Sequence, residues 1–389
     1  MNTLYFDHCA SAPLHRQVAE TVYEVMKLHY ANAAALHRAG KEALKLVDRA
    51  RLGLAAGLGV KPGEIVLTSG GTESNNLALK GIWGRRGRPA KHLITTTVEH
   101  ASVYRCAKQL EGTGVDVTWL QVDEFGRVRI EDVVAAIRPD TVLVSVMHVN
   151  NETGTVQPIR EIGAALARFP HVRFHVDGVQ AIGKVPVCLR EWGIDMYSGS
   201  AHKFQGPKGA GFLFVREGLQ LEPLLAGGSQ EEGVRGGTHN VPGIVGMAQA
   251  FRLSTESAEE RRNRMFALRR RLLAIAADIP ELVLNGYGAA EEERTAPHVV
   301  NLSYPGMRPE VLVHMLEEHG VLVSTQSACS SKSLQPSRVL RAMGLGDDRA
   351  TGSIRISFGD EHTEQDIDAL GERLRLTVRK LKPLERSRA

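Results

Sequence analysis

The chain has 389 residues, 43% hydrophobic and 24% charged, with a formal net charge of +4. This is an ordinary globular composition, and so small a charge gives no electrostatic reason to expect nucleic acid as a partner. The length exceeds what one small core needs and predicts a large domain with a smaller one.

Taken in chain order, Tyr5-Phe6-Asp7 belongs to a short opening strand over 4–7 that could join either domain. No basic region followed by an apolar stretch stands at the N-terminus, and no apolar run reaches membrane-spanning length, so a cytoplasmic location is expected. Short β-rich apolar runs follow at 64–68, 92–97, 116–120, 142–147, 173–176, 196–198 and 211–215. Helical patterns at 75–83, 102–110, 130–137 and 160–168 alternate with them. The alternation predicts an α/β fold, a mostly parallel sheet covered on both faces, with ligands gathered at the carboxyl ends of its strands. The pattern changes near 255. Residues 256–279 read as one amphipathic helix, with Met265, Leu268, Leu272 and Ile275 at helical spacing. Strands at 298–303 and 321–324 and helices at 309–319 and 336–343 complete a separate α+β unit. The expected division is a large domain over 15–255 and a small one from 1–14 plus 256–389. Basic residues collect at the end (Arg373, Arg375, Arg379, Lys380, Lys382, Arg386 and Arg388) against Glu372 and Glu385. A solvated helix and tail explains them; a docking surface for an acidic protein or RNA is the alternative.

Three strand ends carry chemistry. The first runs into Ser69-Gly70-Gly71-Thr72-Glu73-Ser74 and a helix, where glycines and a helix N-terminus can receive an anion or simply make a tight turn. The second ends in Asp177-Gly178-Val179-Gln180; a carboxylate there caps a helix or meets a cation such as a protonated pyridine nitrogen. The third leads into Ser200-Ala201-His202-Lys203, whose small-residue turn can present an amine to a cleft for Schiff-base chemistry. The four cysteines, Cys9, Cys106, Cys188 and Cys329, form no C-x-x-C pair, which argues against a disulfide framework and a metal site.

Thr68-Ser69-Gly70-Gly71-Thr72-Glu73-Ser74, Glu99-His100, Met147-His148-Val149-Asn150-Asn151-Glu152, His175-Val176-Asp177, His202-Lys203 and Ser327-Ala328-Cys329, in this order, resemble the NifS/IscS cysteine desulfurases. These belong to the class V aminotransferase group of pyridoxal-phosphate enzymes, of the fold type I transferase architecture. The resemblance extends from Tyr5 to Ser357. It implies a seven-stranded sheet in the large domain, pyridoxal 5'-phosphate as cofactor, and conversion of L-cysteine to L-alanine with a persulfide left on Cys329. It also implies onward transfer to a sulfur-acceptor protein, as in iron–sulfur cluster assembly, tRNA thiolation or sulfur modification of DNA. A selenocysteine lyase or another class V aminotransferase is the alternative. Residue by residue, Lys203 would hold the cofactor and move the substrate's α-proton, and Asp177 would pair with the pyridinium nitrogen. His100 would stack on the ring and assist proton transfer, while Gln180 and Asn151 would bond the ring oxygen or its surroundings. Gly71, Thr72, Ser200 and His202 would hold the phosphate. Thr238 matches a position that reaches the neighbouring subunit's phosphate, implying a homodimer. Arg355 matches the carboxylate clamp, and Asn32 a substrate contact weakened by Ala33 in place of a frequent proline.

The sulfur-accepting loop is legible without the family. After the strand at 321–324, residues 325–335 are mostly small or polar and lack an aromatic anchor, then Pro336 opens a helix. A mobile, exposed loop carrying Cys329 is expected, with Cys9, Cys106 and Cys188 packed as small apolar residues. Gln326 stands where the family commonly has glycine, and the chain stops short of the longer tail by which relatives dock an iron–sulfur scaffold. Direct nucleic-acid binding is not expected.

Overall fold

The computed structural model describes residues 3–83, 92–325 and 336–385. Strand β1 (Leu4–Tyr5) is followed by helices α1 (Arg16–Leu28) and α2 (Arg38–Leu58). Both helices open on a histidine: His15 accepts from the Gln17 amide and His37 from the Gly40 amide, covering donors that a first turn leaves unpaired. Gly59 closes α2 at φ 67°, the left-handed position that glycine adopts without steric cost.

The central part then runs β2 (Ile65–Thr68), α3 (Gly71–Gly81), β3 (His92–Thr96), α4 (Ala101–Glu111), β4 (Asp116–Leu120), α5 (Ile130–Ala135), β5 (Thr141–Met147), α6 (Ile159–Leu166), β6 (Arg173–Asp177), β7 (Met196–Ser200) and β8 (Gly211–Val215). Their order is β2-β8-β7-β6-β5-β3-β4. β8 lies antiparallel to both neighbours, and the remaining pairs are parallel. The period-two alternation of a strand feeds two cores at once. Phe212, Phe214, Phe174, Val176 and Val144 face Ile159, Ile162 and Leu166 of α6 on one side. Leu213, Met196, Leu93 and Leu143 face Leu77, Val103 and Cys106 of α3 and α4 on the other. Burying a phenylalanine such as Phe212 stabilises the fold by about 2–3 kcal/mol.

α7 (Val241–Thr255) packs on α1 and α2. Beyond Ser257, at φ 52°, come α8 (Ala258–Ala277), β9 (Val283–Asn285), β10 (Val299–Ser303), α9 (Pro309–Glu318), β11 (Val321–Leu322), α10 (Arg338–Ala342), α11 (Asp347–Thr351), β12 (Ser353–Ser357) and α12 (Glu364–Glu385). β12, β10 and β9 form an antiparallel sheet, and β1 pairs in parallel with β11 through Leu4 and Val321. These elements surround their own core, in which Phe6 joins Met265, Leu268, Leu272, Leu312, Ile354, Ile356 and Leu370, with Ile275 partly buried beside them. The predicted strand at 321–324 ends early, because Ser324 turns away to bridge Arg355. The basic face of α12 is partly neutralised from outside the helix: Arg375 lies 3.5 Å from Asp278 and Lys382 lies 2.5 Å from Glu281. Cys106 is buried, but Cys188 is exposed, so packing does not explain the latter. Among the described residues no helix is long and apolar enough to cross a membrane.

Candidate active site

At the carboxyl ends of β5, β6 and β7 a cavity of about 180 Å³ opens, lined among others by Gly71, Thr72, His100, Asn151, Asp177, Gln180, Ser200, His202, Lys203 and Arg355. All ten are residues that sequence reasoning singles out. β2 hands the chain to α3 through Gly70, whose φ of 150° belongs to glycine. A Cβ on Gly71 would meet Val179 Cγ2 at 2.5 Å and Ser200 Cβ at 3.5 Å, so the absence of a side chain keeps this end of the cavity open.

Asp177 ends β6, buried. Its carboxylate accepts from the Val179 amide at 3.1 Å and from Asn75 Nδ2 at 2.7 Å. Burial raises its pKa, while those bonds and the nearby Lys203 oppose the rise. A buried carboxylate so placed is suited to a cationic partner. Lys203 leaves β7 on a short turn, and its Nζ donates to the carbonyls of Cys9 and Ala10, the latter at 2.9 Å. Gln180 Nε2 donates to the same Cys9 carbonyl at 3.1 Å. His202 and His100 are both held neutral by burial, with pKa values lowered to about 4, and Lys203 nearby adds to the effect on each.

Arg355, on β12, is 1% exposed and enters from the opposite side. Nη2 pairs with Asp7 at 2.9 Å and Nη1 donates to the Asn151 carbonyl at 3.0 Å, while Nε is buried without a partner. An unpaired buried guanidinium N–H is costly, which points to an anionic oxygen as its complement.

Three sequence-derived residues stand elsewhere. Thr238 is exposed, on a loop fixed by Arg235 to Glu73 at 2.8 Å and by Glu231 to Arg51 at 2.6 Å. Asn32 is exposed on a turn where its Oδ1 accepts from the Ala34 amide at 2.9 Å, and it does not line this cavity. Cys329, with Gln326, lies outside the described residues.

Several contributors escape sequence reasoning. Asn75 and Ser102 line the cavity beside Cys9 and Ala10. Asn75 sits one turn beyond Gly71 on the same face of α3, a signal that helical periodicity could have supplied. Arg338, at the start of α10, donates to the carbonyls of Thr97 and Glu99 and lies 4.0 Å from the Tyr104 ring centroid. Ser337 beside it donates to Glu152 Oε2 at 2.6 Å, so the start of α10 is fastened to Glu152 and, through Arg338, to the Glu99 carbonyl. Burial raises the Glu99 carboxyl to about 8 despite bonds from the Met147 amide and Thr96.

The aminotransferase class-V family model matches residues 4–370. A putative cysteine desulfurase IscS 1 of Bacillus subtilis (strain 168) is 42% identical over 387 residues, covering 98% of this chain and 100% of that protein. A solved NifS-like protein superposes with a TM-score of 0.91 at 35% identity, covering 97% of this chain and 100% of that one. SspA in complex with cysteine does so with a TM-score of 0.78 at 34% identity, over 93% of this chain and 100% of that one.

Proposed function

The chain belongs to the class V aminotransferase family and is a cysteine desulfurase, and from that footing we propose which of its residues hold pyridoxal 5'-phosphate and take sulfur from L-cysteine. Its architecture is that of fold type I pyridoxal-phosphate enzymes. The observation that carries the proposal is Asp177, a buried carboxylate at a strand end that lines the same cavity as Lys203. A protonated ring nitrogen is the cation it suits. The remaining lining fits the same group. Gly71 and Thr72 at the N-terminus of α3, with Ser200 and His202, offer donors to a phosphate. Gln180 and Asn151 would bond the ring's phenolic oxygen or its surroundings, and His100 would cover the ring. The cavity lies between what we propose are two domains, 15–255 and 1–14 with 256–389.

When bound, the cofactor supplies an electron sink for charge developing at the substrate's α-carbon. Asp177 keeps that sink protonated. Arg355 binds the substrate carboxylate through the N–H that protein atoms leave unpaired, fixing the α-carbon near Lys203. The Lys203 amine removes the α-proton, and the Cys9 and Ala10 carbonyls hold it beside the reacting carbon. The Cys329 thiolate would then attack the γ-sulfur: the S–S bond forms as the Cβ–Sγ bond breaks, the released electron pair passes to the electron sink until protons reach Cβ and Cα, L-alanine leaves, and the persulfide passes to an acceptor protein. That SspA binds cysteine in its solved structure supports L-cysteine as the substrate.

We propose a homodimer in the cytoplasm. Thr238 is exposed on a well-tied loop and does not line its own cavity, which suits a contact with the partner's phosphate. α1 and the turn that follows it expose Tyr23, Met26, Tyr30 and Leu36, the last two 86% and 88% accessible, an apolar surface of the kind that associates.

Borohydride reduction followed by peptide mapping tests the assignment: the pyridoxyl group is expected on Lys203, and a label on Lys208 or any other lysine refutes it. Asp177→Asn tests the sink. A neutral amide cannot hold the ring nitrogen protonated, so α-proton exchange from cysteine in deuterated water should slow by about 10²–10³-fold with the fold intact. Rates within a few-fold of the parent, with cofactor bound, would remove Asp177 from this role.

A further inference from the structure

We infer that Asn75 and Ser102 are positioning residues, forming a hydrogen-bond chain from Asp177 to His100 that holds the imidazole as its Nε2–H tautomer. The inference deepens the reading of the cavity given above and rests on it for its catalytic meaning.

The chain can be followed atom by atom. His100 caps α4, and the Ser102 amide donates to its Nδ1 at 3.2 Å. An amide only donates, so Nδ1 presents a lone pair and the ring proton sits on Nε2. Ser102 Oγ lies 2.8 Å from the same nitrogen and must therefore turn its own hydrogen toward it. What turns the hydroxyl is Asn75, whose Nδ2 donates to Ser102 Oγ at 2.8 Å. What turns the amide is Asp177: the second Nδ2 hydrogen goes to Oδ2 at 2.7 Å. Rotating the amide would set its oxygen against a carboxylate and lose both donations. Asn75 Oδ1, on the other side, is buried without a partner, so nothing there competes for the orientation.

The links come from three elements, α3, α4 and β6, whose packing fixes their spacing. The charged groups acting on the ring are Lys203, Arg338 and Arg355, all of which disfavour a second proton, as burial does, and His100 in turn disfavours one on His202. Protonating Nδ1 would also break the Ser102 amide bond and force the Ser102 hydroxyl to reverse its own. In its resting state His100 is thus a hydrogen-bond donor from Nε2, suited to binding an oxygen on the ring side, and neither a ready proton source nor a base.

The experiment is two-bond ¹H–¹⁵N correlation on histidine-labelled protein, with and without pyridoxal phosphate, using His100→Gln to assign the signal. The parent ring is expected as Nε2–H, neutral until the pH approaches about 4. In Ser102→Ala the lost donation should raise the titration midpoint by about one pH unit. Ser102→Thr, which keeps the hydroxyl, should restore it, and Asn75→Ala should shift it the same way by less. An Nδ1–H ring in the parent overturns the inference without any variant needing to fold, and so does an unmoved midpoint in Ser102→Ala. The acid limb of kcat is expected to move with the midpoint. If the nuclear resonance midpoint moves and that limb does not, the chain stands and His100's part in catalysis falls.

Discussion

Lys203→Ala is expected to cut alanine release from L-cysteine by at least about 10³-fold while leaving the protein folded. The amine has two proposed tasks, holding the cofactor and moving the α-proton, and no other lysine lines the cavity among the described residues. Lys184 is buried, and burial lowers its pKa, but it does not line that cavity and its nearest acidic groups are Asp360 and Glu361. The side chain of Lys203 stands on a short turn, and its loss frees the Cys9 and Ala10 carbonyls to water instead of emptying a core. Melting within a few degrees of the parent is therefore expected. Lys203→Arg should fail as badly, since a guanidinium keeps the charge but is neither a nucleophile nor a base near neutral pH. Added methylamine should restore part of the proton transfer to Lys203→Ala, though not the covalent hold. A variant that keeps more than a tenth of the parent's activity would place the working amine elsewhere, with Lys208 the first to examine.

How far such assignments can be read from sequence depends on which kind of signal each residue leaves. The seven strands of the central sheet are legible because each is a short apolar run, most of them set off by helix patterns, and their ends fall within about two residues of those expected. The strand ends delivered Asp177 and Lys203 directly, since a charged residue at the edge of an apolar run is conspicuous. The helices over 16–28 and 38–58 were not predicted, although Val18, Val22 and Val25 stand at helical spacing. Apolar residues on the outer face, Tyr23 and Met26 among them, blur the two-faced pattern because that surface too is apolar. Asn75 leaves only its helical spacing from Gly71, and Ser102 leaves no signal of its own. Asn75 meets Ser102 and Asp177, 27 and 102 residues away, and a polar residue early in a helix is ordinary without that context. Arg338 is similar: its two carbonyl partners and the Tyr104 face lie far off in the chain. Cys188 was misjudged for a different reason, since packing is only the commonest fate of a lone cysteine.

Cys329→Ala should lose alanine release to a similar degree, by about 10³-fold or more, yet still bind cofactor and cysteine. Lys203, Asp177 and Arg355 are untouched by the change, so the spectral shift on adding cysteine should persist. In the parent, cysteine without reductant should add one sulfur to the Cys329 peptide, seen as a mass increment. The rival thiol is Cys9, which lines the cavity. It is 2% exposed, burial raises its pKa despite Arg355 and Lys203 nearby, and its amide is tied to Ser357 Oγ at 2.9 Å. A thiol that is rarely ionised is a poor nucleophile, and one so enclosed could not pass sulfur to a second protein. Cys9→Ala is therefore expected to keep activity within a few-fold of the parent. The reverse pattern, with Cys329→Ala active and Cys9→Ala silent, would move the nucleophile into the buried cavity. Alanine release surviving the loss of both thiols would instead favour chemistry of the selenocysteine lyase kind, in which the substrate's chalcogen leaves without a cysteine to receive it.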